Sequence, residues 1–241
     1  MRRRAADLFN RFNEVFWDEQ WGFYALGLDG EKKRVLTLAS NIGHCLWTGI
    51  IRPDRARLVV ERLMAPDMFS GWGIRTLSSA HPGFNPHSYH TGSVWPHDNG
   101  LIAEGFKRYG FTAEAARVGR AVSGAARYFA MHQVPELYAG TERTSTDFPV
   151  QYLGANVPQA WAAGATFSLM QSILGLDPDA ANGRLYLDPV LPDWLPDLTL
   201  LDLKVGNQVF DIRFEQIDGA TKFEVIRGDS NAVIAAIRPQ M

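Results

Sequence analysis

What most constrains this chain is an alternation between two kinds of helical segment. Residues 41–51, 95–109 and 158–174 are apolar nearly all round, whereas 3–17, 54–64 and 112–131 carry one apolar stripe and a charged opposite face. In the first segment that stripe is Ala5, Leu8, Phe9, Phe12, Val15 and Phe16. The links leaving the apolar segments are short, and those entering them are long. Helices joined by short links pack as antiparallel neighbours. Every long loop must then emerge at one end, at the N-termini of the apolar helices.

Buried helices inside, amphipathic helices outside and a pocket at the looped mouth describe an α/α toroid, here with about six helices. After Gly175 the pattern changes to short strand-like runs, 184–189, 198–205, 208–216 and 222–227, separated by Pro192-Asp193, Gly206-Asn207 and Asp218-Gly219. The expected organisation is mainly α over 1–182, followed by a small antiparallel β unit over 183–241.

The 241 residues are 46% hydrophobic and 21% charged, with a formal net charge of −2. Such a balance offers no basic surface for a nucleic-acid backbone or anionic lipid. No stretch reaches the roughly 18 apolar residues of a membrane span, and the start, Met-Arg-Arg-Arg-Ala-Ala-Asp, runs into an amphipathic segment and not a signal-peptide core. A cytoplasmic protein is expected. The single cysteine, Cys45, excludes an internal disulfide and reads as a small buried hydrophobe. No nucleotide-binding signature is present, and no cofactor is expected.

The chemistry concentrates in the long loops, which exceed the roughly 12–15 residues usual for structureless connections. Residues 70–99 hold four of the six histidines, with Trp72, Arg75, Tyr89, Trp95, Asp98 and Asn99 among them. A sugar ring asks for this mixture: its hydroxyls take planar donors and acceptors, and its C–H faces pack on aromatic rings. Each residue also has a plainer reading. Trp72 and Trp95 suit core packing, and His97, Asp98 and Asn99 at a helix start suit capping and the helix dipole. Imidazoles at His87 and His90, with His81, His97 or Asp98, are set aside as metal ligands because a Pro-containing loop lacks the fixed geometry of a helix. In the second long loop Glu136, between apolar neighbours, is either a structural acceptor or a general base.

Ser70-Gly71-Trp72-Gly73-Ile74-Arg75-Thr76-Leu77-Ser78, Tyr89-His90-Thr91-Gly92-Ser93-Val94-Trp95-Pro96-His97-Asp98-Asn99, Pro135-Glu136-Leu137 and Pro158-Gln159-Ala160-Trp161-Ala162-Ala163-Gly164 resemble the C-terminal half of bacterial amylo-α-1,6-glucosidase-like (glycogen-debranching-like) proteins. These are similar to the inverting (α/α)6-toroid glycosidases, which include trehalases, processing α-glucosidase and mannosylglycerate hydrolase. The resemblance covers about residues 8–200. It implies that Glu136 is the general base, that Trp95 with His97, Asp98 and Asn99 forms a sugar-binding motif, and that Trp72, Arg75, Tyr89, His90, Gln159 and Trp161 surround the pocket.

The family's toroid has twelve helices, and its general acid is an Asp in the first half, in a motif like Trp-Phe-Gly-Arg-Asp that this chain lacks. Inverting hydrolysis needs two carboxyl groups roughly 6.5–9.5 Å apart. Asp98 is the in-chain candidate for acid or sugar contact. The resemblance therefore implies the C-terminal half of an inverting glycosidase acting on α-glucosidic linkages. Two alternatives stand beside it: an enzyme complete in this chain, as a homodimer, and a non-catalytic carbohydrate-binding remnant lacking the acid. Half a toroid would expose an apolar face, to be covered by a second copy or by a missing N-terminal half.

Overall fold

Pro53 and Pro96 each open a helix, because the first helical position needs no N–H and the ring presets φ near the helical value. These are α3 (Pro53–Leu63) and α4 (Pro96–Arg108) in a computed structural model that describes residues 1–237. The other helices are α1 (Arg2–Val15), α2 (Asn41–Thr48), α5 (Thr112–Ala126) and α6 (Ala160–Leu174). All six fall where the periodicity places them, each ending short of the sequence-based limit or at it. Among the described residues, no helix is long and apolar enough to cross a membrane.

The first compact unit is Met1–Leu169. Within it α2 lies against α4, α3 packs on α2, and α5 packs on α4. The close α2–α4 approach is a glycine effect: a Cβ on Gly43 would stand 2.4 Å from Ile102 Cγ1. Gly49 ends α2 in the left-handed conformation, with φ 77. Leu46, Val59, Leu63, Met68, Ile102, Phe106 and Val118 fill the core, each contributing about 2 kcal/mol through burial. In the connection after α1, the apolar run 22–28 closed by Asp29-Gly30 suggests a small hairpin or an irregular link, and the structure has short antiparallel pairs there. Strands β1 (Trp17–Asp18) and β2 (Phe23–Tyr24) pair, and so do β3 (Gly27–Leu28) and β4 (Arg34–Val35) across the Asp29-Gly30 turn.

The second unit runs from Met170 on. Its strands β7 (Asp197–Val205), β8 (Gln208–Ile217) and β9 (Ala220–Arg227) form an antiparallel sheet in that order. Gly206, at φ 60, opens the β7–β8 turn, and Asp218-Gly219, at φ 54 and 76, makes the β8–β9 turn. Both are turn geometries whose twist suits a hairpin. Beside them, β6 (Arg184–Leu187) pairs antiparallel with β5 (Asp177–Asp179) and parallel with β10 (Val233–Ala235). The unit is therefore not purely antiparallel, because β10 returns after the whole β7–β9 excursion, the long crossover that a parallel pair requires.

The chain as a whole is mixed helix and sheet and not mainly α. The helices belong chiefly to the first unit and the longer strands to the second. The two units divide within α6, since Ile173 and Leu174 pack with Leu185, Leu187 and Phe210, whereas the boundary expected at 182 followed composition. The end of the expected 183–241 unit, residues 238–241, lies outside the described residues.

Candidate active site

The two long loops of the first unit are irregular but not loose. Single β-bridges tie Arg75 to Val94, Val94 to Tyr138, and Tyr138 to Gln151. Backbone pairings of this kind align four stretches of chain, and they bring Tyr89, Trp95 and Glu136 to one place.

Glu136 is 6% exposed. The Tyr89 hydroxyl donates to its Oε1 at 2.6 Å, while the Asn156 backbone N–H and Nδ2 reach Oε2 only at 3.4 Å. The Tyr89 bond, against the opposing effect of burial and with smaller help from Asn156 and Gln159, holds this carboxyl below its usual range. The same bond pushes the Tyr89 phenol up. An ionised carboxylate in such a setting can accept a proton from water at neutral pH.

An aromatic wall adjoins the carboxylate. Tyr89 meets Trp95 edge-on with centroids 4.8 Å apart, and His90 lies parallel to Trp95 at 6.0 Å. His97 stands edge-on to Trp95 at 5.5 Å and stacks on Trp161 at 4.1 Å. Six of the residues singled out from sequence, Tyr89, His90, Trp95, His97, Glu136 and Trp161, thus form one continuous cluster, and Gln159 bears on Glu136. Burial lowers the His97 pKa, keeping the imidazole neutral at physiological pH.

The first turn of α4 supplies the rest. Asp98 Oδ1 accepts from His44 Nε2 of α2 at 2.6 Å, and that contact raises the His44 pKa against the lowering effect of burial. Asp98 Oδ2 and His97 Nδ1 are buried with no hydrogen-bond partner. Asp98 thus engages the His44 imidazole through Oδ1 and leaves Oδ2 unpartnered.

Three predicted contacts take other positions. Trp72 is 0% exposed, packed with Val94, Ala125, Phe129 and Tyr138, and the Arg143 guanidinium covers its ring at 4.2 Å. Arg75 is buried, and its guanidinium donates to the carbonyls of Gly140 (2.6 Å) and Pro66 (2.8 Å). Asn99 spends both amide protons locally: Nδ2 donates to the Ile74 and Trp95 carbonyls, and Oδ1 accepts from Ile74 N. Arg75 and Asn99 hold the loops under the site, because a buried guanidinium or amide must spend its donors locally, whereas Trp72 packs beneath it with its Nε1 unpartnered.

Two contributors escaped the sequence reading. His44 sits one turn into an otherwise apolar helix, a placement that is itself a signal, since a lone imidazole there needs a partner. Asn156 carried no signal. Cys45 is half-buried with its thiol pushed up to about 11 by burial, so it stays protonated. Among the described residues, no group of three or more His, Cys, Asp or Glu is arranged to hold a metal.

Residues 1–145 match the mannosylglycerate hydrolase MGH1-like glycoside hydrolase domain. The mannosylglycerate hydrolase of Thermus thermophilus is 33% identical over 107 residues, covering 44% of this chain and 25% of that protein. The Rubrobacter radiotolerans mannosylglycerate hydrolase is 30% identical over 126 residues, 49% of this chain and 28% of that protein. The crystal structure of the GH78 family rhamnosidase of Bacillus sp. GL1 matches 97% of this chain and 22% of its own, with a TM-score of 0.61 at 18% identity, a likeness of fold alone. The matched stretches thus span about a quarter of the length of the curated relatives. With the family match extending over more than half of its residues, the chain belongs to the mannosylglycerate hydrolase MGH1-like glycoside hydrolase family.

Proposed function

We propose that this chain is the base-bearing part of an inverting glycoside hydrolase acting on α-linked hexosides, with Glu136 activating water. The observation that carries this reading is the Tyr89–Glu136 bond at 2.6 Å beside the Trp95 wall: an ionised, oriented carboxylate next to aromatic faces that suit a sugar ring. Trp95, His90, His97 and Trp161 are the proposed sugar contacts. Asp98 is proposed as a further sugar contact through its unpartnered Oδ2, with His44 behind it.

The names of the relatives favour a hexose linked to a small hydroxy acid over the amylo-α-1,6-glucosidase substrate that the motifs first suggested. Alternating helices, with α2, α4 and α6 inside, fit about half of an (α/α)6 toroid. On α6, Trp161 is 49% exposed and Phe167 79%, beside Ala163 and Gly164. We propose that a second copy of the chain covers this face when the chain is expressed alone, and size-exclusion chromatography showing a plain monomer would contradict that. A cytoplasmic location suits a fold with one protonated, half-buried thiol and no disulfide to maintain.

The test, on the hydrolysing protein that carries this chain, is proton NMR of the anomer released from α-glycosides of small hydroxy acids, including mannosylglycerate and glucosylglycerate. Release of the β-anomer, lost in Glu136→Gln, is the expected result. Unchanged turnover in Glu136→Gln overturns the base assignment, and release of the α-anomer overturns inversion. A second reading, a carbohydrate-binding protein without turnover, draws on the engagement of Asp98 by His44. Saturable sugar binding with no product would favour it.

A further inference from the structure

Both oxygens of a general base are chemically alike in solution, so the protein must decide which one faces the water. At Glu136 the two are treated very differently. Oε1 receives the Tyr89 hydroxyl at 2.6 Å, within the range of a strong charge-assisted bond. Oε2 has only the two Asn156 contacts at 3.4 Å, long enough to leave a lone pair open.

Tyr89 is itself held on several sides. Its ring meets Trp95 at 4.8 Å, His90 at 4.6 Å and Tyr152 at 5.5 Å, all steeply inclined. Its carbonyl accepts from Ser93 Oγ at 2.8 Å and from Trp95 Nε1 at 3.1 Å. The Glu136 backbone is pinned too, since its N–H donates to the Asn156 carbonyl at 3.0 Å. A hydroxyl fixed this firmly is a poor candidate for a yielding sugar contact and a good one for a brace.

We propose that Tyr89 is a positioning residue: its hydroxyl fixes Glu136 Oε1 so that Oε2 is the oxygen that takes the proton of the attacking water. The proposal rests on the reading of Glu136 as the base. In that step a water O–H bond breaks, its proton passes to Oε2, and the water oxygen bonds the anomeric carbon. The leaving oxygen keeps the glycosidic electron pair and is protonated by a carboxylic acid supplied by the rest of the hydrolase. The Tyr89 proton stays on the phenol throughout and remains shared with Oε1.

Tyr89→Phe removes the hydroxyl and keeps every ring contact, so the fold should persist. In this chain, the carboxyl carbon of Glu136 is followed by carbon-13 NMR against pH, with its signal identified by its loss in Glu136→Gln. The expected result is a titration midpoint about 1 pH unit higher in Tyr89→Phe than in the parent. Asn156→Ala should move it less. A tyrosine that only packs would leave the midpoint unmoved, and an unmoved or lowered midpoint overturns the proposal.

In the hydrolysing protein, Tyr89→Phe should lower kcat roughly ten-fold with KM little changed, and the acid limb of the kcat profile should move to higher pH. If Glu136→Gln is inactive while Tyr89→Phe keeps the parent's midpoint and acid limb, the Tyr89 assignment falls and the base reading stands. If Glu136→Gln retains full activity, both fall.

Discussion

Around Glu136 each carboxylate oxygen has donors, whereas around His97 and Asp98 two buried polar atoms have none. The two regions belong to the same unit and are built from the same kinds of residue. Leaving a buried polar atom unpaired costs about 1–3 kcal/mol, and native interiors tolerate few such atoms. The Glu136 side is satisfied by groups of the chain itself, and on the proposed reading a sugar hydroxyl would satisfy the other. That division suits a hydrolase, because the base must be oriented before substrate arrives, while sugar contacts gain affinity by being satisfied on binding.

The sharpest way to challenge this division is to neutralise each carboxylate in turn. Glu136→Gln should lower hydrolysis by roughly 10³-fold, and Asp98→Asn should act mainly on KM. A comparable collapse of kcat in Asp98→Asn would make Asp98 a second catalytic carboxyl and erase the difference.

Next in size is a stability effect beneath the site. Asn99→Leu strands the Ile74 N–H and the Ile74 carbonyl, while the Trp95 carbonyl keeps the residue-99 backbone N–H, and urea denaturation should show a loss of about 3 kcal/mol. A loss under about 1 kcal/mol would show that Asn99 is free to serve the sugar instead.

A smaller effect separates the two regions by pH. His44 has a folded pKa raised by Asp98, so its stabilising contribution is fully present below the unfolded value near 6.5. It is lost as pH rises through the higher folded value. The Tm difference between the parent and His44→Gln should be about 2 °C near pH 6 and vanish toward pH 9. A difference that grew with pH would reverse the assigned direction. Smallest of all, Trp161→Ala should leave Tm within about 1 °C, because the ring is half exposed, yet weaken sugar binding a few-fold by removing the stack on His97.

Much of the architecture was legible in the sequence because it depends on local periodicity. The prolines at 53 and 96, the stripe of α1, the Gly206-Asn207 and Asp218-Gly219 turns, and the strand runs after 183 all act over a few residues. The β3–β4 hairpin was signalled by the Asp29-Gly30 turn, whereas the β1–β2 pair and the parallel β10 were not legible, since two- and three-residue strands leave no periodic trace. In the site, composition identified which loops matter but could not sort their residues. Trp72, Arg75 and Asn99 have the same chemistry as sugar contacts and are consumed by neighbouring carbonyls and packing. His44 looked like one more member of an apolar helix.

The sequence by itself determined where the six helices and the longer strands lie, and which loops gather aromatic, amide and imidazole groups, because turn geometry and amphipathic spacing are properties of neighbouring residues. Only the tertiary structure decided which polar groups are already satisfied and which are left open. Tyr89 finds Glu136 across 47 positions and His44 finds Asp98 across 54. Such pairings depend on how α2 and α4 approach and how single β-bridges align the loops, and no local pattern encodes a distance between residues that far apart.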